Sequence, residues 1–222
     1  MPTSMSTPHS AQAFVEPVER LAQAFDTSLS PEVGDALCRY LELVASWNEK
    51  IDLTAARTPE AMAEVLIADA FVLARPALIP AGSRILDVGT GAGGPAIALL
   101  LMRPDLSAVL IESLRKRIAF LRLTIDTLGI SGRVVLDDVG VNPKKPVLKH
   151  NVDLAMSRAT FAPELWLTIG NRLAKQTLVL AVQSTPPTLP AGATLTETVT
   201  YQLPFNGAPR AIHSVQRGQR VS

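Results

Sequence analysis

Between Asp87 and Gly94 the chain reads Asp-Val-Gly-Thr-Gly-Ala-Gly-Gly, a run of glycines behind a carboxylate. Glycine serves where the backbone must take positive φ or lie bare against a ligand, so this stretch can cradle a small molecule. Ile85, Leu86 and Val88 before it read as a short buried strand. Pro95 and the apolar run Ala96 to Met102 after it read as a helix with proline in its first turn. Strand, glycine turn and helix in that order put the turn at the carboxyl end of a strand. Open α/β sheets bind their ligands there.

Two fingerprints fit the same residues. Gly89, Gly91 and Gly94 satisfy G-x-G-x-x-G, and Gly89, Gly91 and Gly93 give G-x-G-x-G behind an acid. A second acid, Glu112, follows the apolar Val109, Leu110 and Ile111 about 20 residues beyond the first glycine, where a carboxylate can accept both hydroxyls of a ribose. The pair points to an adenosine-containing cofactor, NAD or S-adenosylmethionine. Asp87 favours the second, because its charge suits ammonium and sulfonium groups and would repel a pyrophosphate. The competing reading is a glycine turn that only packs a helix on a strand.

The elements that must hold these residues follow from periodicity. Residues 1–13 are rich in Ser, Thr and Pro and read as a disordered tail. Residues 14–80 read as a helical extension. Phe14 to Phe25 form its first amphipathic helix, and Ser30-Pro31 and Thr58-Pro59 start two more on a cap followed by proline. Val33, Leu37, Tyr40, Leu41, Val44, Trp47 and Ile51 keep helical spacing. Residues 81–222 alternate strands and helices. Ser113 is the expected cap of a helix to Leu128, with Gly129 as its stop. Further strands are expected at Arg133 to Leu136, Val152 to Met156 and Thr177 to Val182, with a helix at Ala162 to Leu173 and a hairpin from Thr194 to Leu203 and Ala211 to Val215. The expected fold is therefore α/β, a mostly parallel sheet with an antiparallel edge.

Bulk properties narrow the classes. At 222 residues and 47% hydrophobic, the chain can bury a sizeable core. The single Cys38 leaves no intramolecular disulfide and no ligand set for a metal, and reads as a buried apolar residue. No apolar run approaches the ~20 residues of a membrane span, so a soluble cytoplasmic protein is expected, without membrane or metal. His9, His150 and His213 fall in a tail, a loop and a terminal strand, and none reads as a general base. The net charge of +1 hides local clusters. Arg115, Lys116, Arg117 and Arg122 form one, and Lys144, Lys145 and Lys149 another. Such runs suit phosphate contact, although each alone is more often a solvated face.

The segment from Tyr40 to Thr54, with its Trp47-Asn48 and Lys50-Ile51-Asp52-Leu53-Thr54, resembles the helix end and turn of the bacterial 16S ribosomal RNA methyltransferase G family, also called glucose-inhibited division protein B. The family's D-x-G-[ST]-G-A-G turn is similar to Asp87 to Gly93, its D-S-L-x-K-[KR] element to Glu112 to Arg117, and its S-R-A element to Ser157-Arg158-Ala159. Tyr201 to Pro204 and Arg210 to Val215 resemble its last hairpin. The likeness covers about residues 37 to 217. It implies a class I, Rossmann-like methyltransferase fold with an N-terminal helical extension, S-adenosylmethionine as donor, and N7 of a small-subunit rRNA guanine as acceptor. Basic clusters on a near-neutral chain point to the folded rRNA or the 30S particle as partner, and a monomer is expected.

With that resemblance, Asp87, Gly89, Thr90, Gly91, Gly93, Gly94, Glu112 and Ser113 form the candidate cofactor site. Arg158 is the candidate catalytic residue, its planar fork meeting the cofactor carboxylate or a guanine edge. Arg115, Lys116, Arg117, Lys144 and Lys145 are the candidate RNA contacts. Three departures stand out. Gly94 replaces an aromatic of the family, which implies a thinner wall of the cofactor site. The helical H-x-x-D keeps only its aspartate, with Leu66 and Asp69 in that region. The G-R-A-E box is replaced by Asp138-Val139-Gly140-Val141, of which Asp138, Gly140 and Val141 are the candidate cofactor contacts. Two alternatives remain beside the transferase: a catalytically weakened RNA- or cofactor-binding relative, and an NAD-dependent oxidoreductase.

Overall fold

The computed structural model describes residues 10–137, 151–182 and 184–218. A 3-10 turn, Ala11–Phe14, leads into helix α1, Val15–Ala24. Ala11 to Ala13, read above as part of a tail, belong to this turn, which is anchored by the buried ring of Phe14. Helices α2 (Pro31–Asn48) and α3 (Pro59–Leu73) start as expected. Ser30 Oγ accepts from Val33 N–H at 3.4 Å, and Thr58 Oγ1 accepts from Ala61 N–H at 3.2 Å. Helix α2 stops short of Ile51 because Asn48 turns the chain. Its Oδ1 accepts from Leu53 and Thr54 N–H at 2.9 and 3.0 Å, and its Nδ2 donates to Thr54 O at 3.0 Å.

Strand β1 (Arg84–Val88), helix α4 (Ala96–Met102), strand β2 (Ser107–Ile111), helix α5 (Arg115–Thr127) and strand β3 (Val134–Asp137) follow. Then come β4 (Leu154–Arg158), α6 (Pro163–Leu173), β5 (Gln176–Ala181), β6 (Thr194–Gln202) and β7 (Pro209–Gln216). Strand β4 starts two residues later than expected and extends to include Arg158, paired with Leu180 of β5.

The seven strands form one sheet in the order β3-β2-β1-β4-β5-β7-β6. The first five neighbours run parallel, while β7 runs antiparallel to both β5 and β6. The chain leaves β1 toward β2 on one side and returns to β4 on the other, so the strand order reverses between β1 and β4. A crevice at the carboxyl ends of the strands opens at such a reversal. Gly89 follows the end of β1 there, and Arg158 ends β4.

Both sheet faces are covered, as a parallel sheet requires. On one face Leu110, Met156 and Leu178 pack with Tyr40, Leu41, Ile67 and Phe71 of the N-terminal helices in a single core. On the other, Leu86, Val109 and Val179 pack with Trp166, Leu167 and Ile169 of α6. Helix α3 is buried nearly all round and takes two acids, Glu64 and Asp69, inside with it.

Candidate cofactor and acceptor site

The glycines divide by what surrounds them. Gly89, Gly91 and Gly93 have φ of 73°, 61° and 93°, a region that favours glycine. A Cβ at Gly89 would collide with the Thr160 side chain, and one at Gly93 with Ile97. A Cβ at Gly94 would meet the Leu66 carbonyl oxygen at 2.6 Å. At Gly91 the nearest atom is the Gly89 oxygen at 3.9 Å, so open space lies before this backbone. Gly89, Gly93 and Gly94 thus serve close packing, and Gly91 is the bare surface. The departure at Gly94 has a physical reason: the α3 backbone closes against the turn and leaves no volume for an aromatic ring. The wall is made by a helix instead.

Other elements fasten the turn. Gly89 and Thr90 N–H donate to Ile111 O at 2.9 and 3.1 Å, tying it to the end of β2. The buried Tyr40 donates its hydroxyl to Ala92 O at 3.0 Å, which pins α2 to it. Pro95 caps α4 rather than entering its first turn. Helical spacing gives Tyr40 only as a core position, because nothing in it says where a hydroxyl will point.

Two buried acids lie at this turn. Glu112, 5% exposed, accepts from Gly91 N–H through Oε2 at 3.1 Å, and from Ser113 and Leu114 N–H through Oε1 at 2.8 and 2.9 Å. The expected cap at Ser113 is therefore corrected. Leu114 holds the cap position of α5 without a side-chain bond, and the Glu112 carboxylate takes up the N–H groups of Ser113 and Leu114 just ahead of the helix. Asp87 is 2% exposed and its Oδ2 has no hydrogen-bond partner. Burial pushes its pKa from 3.8 to about 6, eased by Thr90 and Arg158 and aggravated by Glu112. Thr90 lies beside it, yet its buried hydroxyl also lacks a hydrogen bond of good geometry. Two unpartnered polar atoms in one dry place suit a polar or cationic ligand.

Across the crevice, Arg158 Nη1 donates to Val65 O at 2.5 Å and to Asp69 Oδ2 at 3.0 Å. Asp69 is 3% exposed, and its other oxygen accepts from the Tyr201 hydroxyl at 2.6 Å. Ala159 next to Arg158 has φ 56°, a strained conformation for alanine of the kind that clusters at functional sites. Arg158 and Ala159 line a cavity of about 940 Å³ that runs from α3 around the ends of β4 and β5 to the start of α6. Asp69 and Tyr201 escaped sequence reading as a unit, since they stand 132 residues apart.

The basic candidates fall at the first turn of α5. Arg115 and Lys116 are exposed and, with Lys50, border a smaller cavity of about 440 Å³. Arg117 is half-buried, 3.7 Å from Glu112, and donates to Asp52 O at 3.3 Å. Asp138, Gly140, Val141, Lys144 and Lys145 lie outside the described residues, as do residues 1–9. Cys38 is buried, and burial, with Asp35 and Glu19 nearby, pushes its thiol up to about 11, far from a nucleophile. No helix among the described residues is long and apolar enough to cross a membrane.

Comparison with known proteins bears on the fold and the family. Among solved structures, the fold is similar to an S-adenosylmethionine-dependent methyltransferase, SibL, with TM-score 0.53 and 18% identity over 92% of this chain and 74% of that one. It is also similar to a methyltransferase from Aquifex aeolicus, with TM-score 0.50 and 18% identity over 70% of this chain and 92% of that one. Ribosomal RNA small subunit methyltransferase G of Anaeromyxobacter dehalogenans is 33% identical over 92% of this chain and 98% of its own length. The protein of that name from Clostridium beijerinckii is 33% identical over 66% of this chain and 62% of its own. The family profile described as rRNA small subunit methyltransferase G matches residues 34–187, which is most of the chain. This chain belongs to the rRNA small subunit methyltransferase G family.

Proposed function

We propose that this member of the family transfers the methyl group of S-adenosylmethionine to N7 of a guanine in small-subunit ribosomal RNA, acting on the rRNA or the 30S particle in the cytoplasm as a monomer. The observation that carries the reading is the bare Gly91 backbone held by buried Glu112, with buried Asp87 at the same turn, where the strand order reverses. The donor fits that place. Asp87 offers an orphaned carboxylate oxygen to a cationic group, and Glu112 stands at the end of β2, where a ribose would be held. When bound, S-adenosylmethionine supplies a methyl group that is already electrophilic. A pyrophosphate would meet the buried charge of Asp87, which disfavours the nicotinamide reading.

The rest is positioning. Guanine N7 carries a lone pair and no proton, so the new N–C bond forms as the sulfur–carbon bond breaks, without a general base. His213, the one histidine among the described residues, is fully buried beside Thr198 and offers no base to the crevice. Gly91 and Glu112 hold the adenosine end, Asp87 the charged end, and Arg158 orients the acceptor across the crevice. Three backbone N–H groups already use Glu112, which fixes its orientation and leaves acceptor capacity on the carboxylate for a ribose hydroxyl. Calorimetric titration with S-adenosylmethionine and NAD, then mass spectrometry of small-subunit rRNA incubated with donor, tests the reading. Donor binding without transfer would identify a binding protein, and NAD binding an oxidoreductase.

A further inference from the structure

The 940 Å³ cavity contains a set of groups that the donor site does not use. Phe161 lines it, and its ring stacks parallel on that of Trp166, with centroids 6.1 Å apart and planes 6° apart. Trp166 is 1% exposed and fixed by its indole N–H to Leu178 O at 2.8 Å, so Phe161 rests on a rigid support. Three acids line the same cavity. Glu64 accepts from Phe205 and Asn206 N–H, and Asp69 from Arg158 and Tyr201. The carboxylate of Glu164 has no partner among the described residues. Among the described residues Arg158 donates only through Nη1, which leaves its other nitrogens for the cavity.

An aromatic platform, a free carboxylate and a free guanidinium edge match the three faces of guanine. Any base stacks on an aromatic ring. A carboxylate accepts from guanine N1–H and N2–H2, whereas adenine presents an acceptor at N1. A guanidinium donates to O6. We infer that this cavity receives the target guanine turned out of its stack, with Phe161 beneath the ring, Glu164 on its N1 and N2 edge, and Arg158 on O6. This rests on the function proposed above and names the acceptor subsite.

The arrangement leaves N7 free for attack. It also becomes stronger as reaction proceeds, because positive charge moves from the donor sulfur onto the purine. A cation over the Phe161 ring and beside Glu164 is stabilised more than the neutral base. Interactions that strengthen in the transition state raise turnover and not only affinity. Loss of the Phe161 ring or of the Glu164 charge should therefore act mainly on kcat.

The test uses the full chain with 30S particles that lack the modification. Phe161→Leu keeps apolar bulk but removes stacking, and Phe161→Tyr retains it. The expected result is a loss on the order of 10- to 100-fold in kcat for Phe161→Leu and Glu164→Gln. Near-normal turnover is expected for Phe161→Tyr, with unchanged S-adenosylhomocysteine affinity in all three. Wild-type kcat in Phe161→Leu and Glu164→Gln, with transfer intact, would overturn the subsite while leaving the function standing. Absence of transfer by the unmodified protein would overturn both.

Discussion

The hydroxyl of Tyr201 donates to Asp69 Oδ1 at 2.6 Å, joining strand β6 to helix α3 behind Arg158. Phe25 packs edge-on against the Tyr201 ring at 5.9 Å and holds it in place. Burial, then the Asp69 charge, push the phenol well above its usual pKa, so it remains a donor. Tyr201→Phe should leave a buried carboxylate oxygen without a partner and cost about 1–3 kcal/mol of stability. Urea denaturation measures it. An unchanged midpoint would mean that water replaces the hydroxyl freely.

Arg158→Lys tests the planar fork. Lysine keeps the charge but cannot meet Val65 O and Asp69 while also donating into the cavity. Turnover should fall by roughly 10-fold or more, with the fold and S-adenosylhomocysteine affinity retained. Wild-type turnover would reduce Arg158 to a structural tie.

Asp87 gives a pH signature. Its folded pKa of about 6 lies above the unfolded 3.8, so the folded chain holds the proton longer. Stability is then fullest below about 4 as far as this group is concerned, and declines as pH rises through 6. The loss is about 3 kcal/mol, from a shift near two units. Asp87→Asn should flatten that window. Donor affinity should run the other way, rising as the carboxylate ionises. Calorimetry at pH 5 and pH 7 decides, and equal affinities would remove the charge of Asp87 from recognition.

Gly94→Ala should show that α3 forms the wall of the turn. The added methyl meets Leu66 backbone at 2.6 and 3.0 Å, which no side-chain rotation relieves. A destabilisation of about 1–3 kcal/mol and weaker donor binding are expected. Normal melting would show that the helix shifts at no cost.

For RNA, Arg115 and Lys116 are the pair to reverse. Arg117 is unsuitable because it reaches Glu112 and would disturb the donor side. Reversal to Glu should weaken binding to small-subunit rRNA and lower the salt slope by about 1 for each phosphate no longer neutralised. An unchanged slope would assign these residues to a solvated face.

Local signals carried most of the architecture. Hydroxyl-proline starts located α2 and α3, apolar runs located the strands, and the glycine turn located the crevice. The boundaries slip where a side chain takes up nearby backbone groups, as Asn48 does at the end of α2 and Glu112 does before α5, whose cap position falls to Leu114 rather than Ser113. What spacing could not disclose was pairing across distance. Asp69 looked like the remnant of a motif and Tyr201 like hairpin packing, and only the folded sheet brings them together. Gly94 looked like a loss until the α3 backbone was found in the vacated space. Asp138 to Val141 and Lys144 to Lys145 lie outside the described residues, and their roles rest on the sequence.

The family match ends at residue 187, before the β6–β7 hairpin. That hairpin is nonetheless wired into the crevice. Strand β7 pairs with β5 along six residues, Tyr201 closes on Asp69, and the turn at Phe205 and Asn206 donates to buried Glu64. A fragment trimmed to the matched span would strand two carboxylates inside α3 and bare the edge of β5. Exposed edges of that kind template pairing with other chains. Truncation after residue 187 should therefore yield aggregates, while the intact chain should resist nicking by proteases within the hairpin. The hairpin would then belong to the folding unit, although the family profile stops short of it.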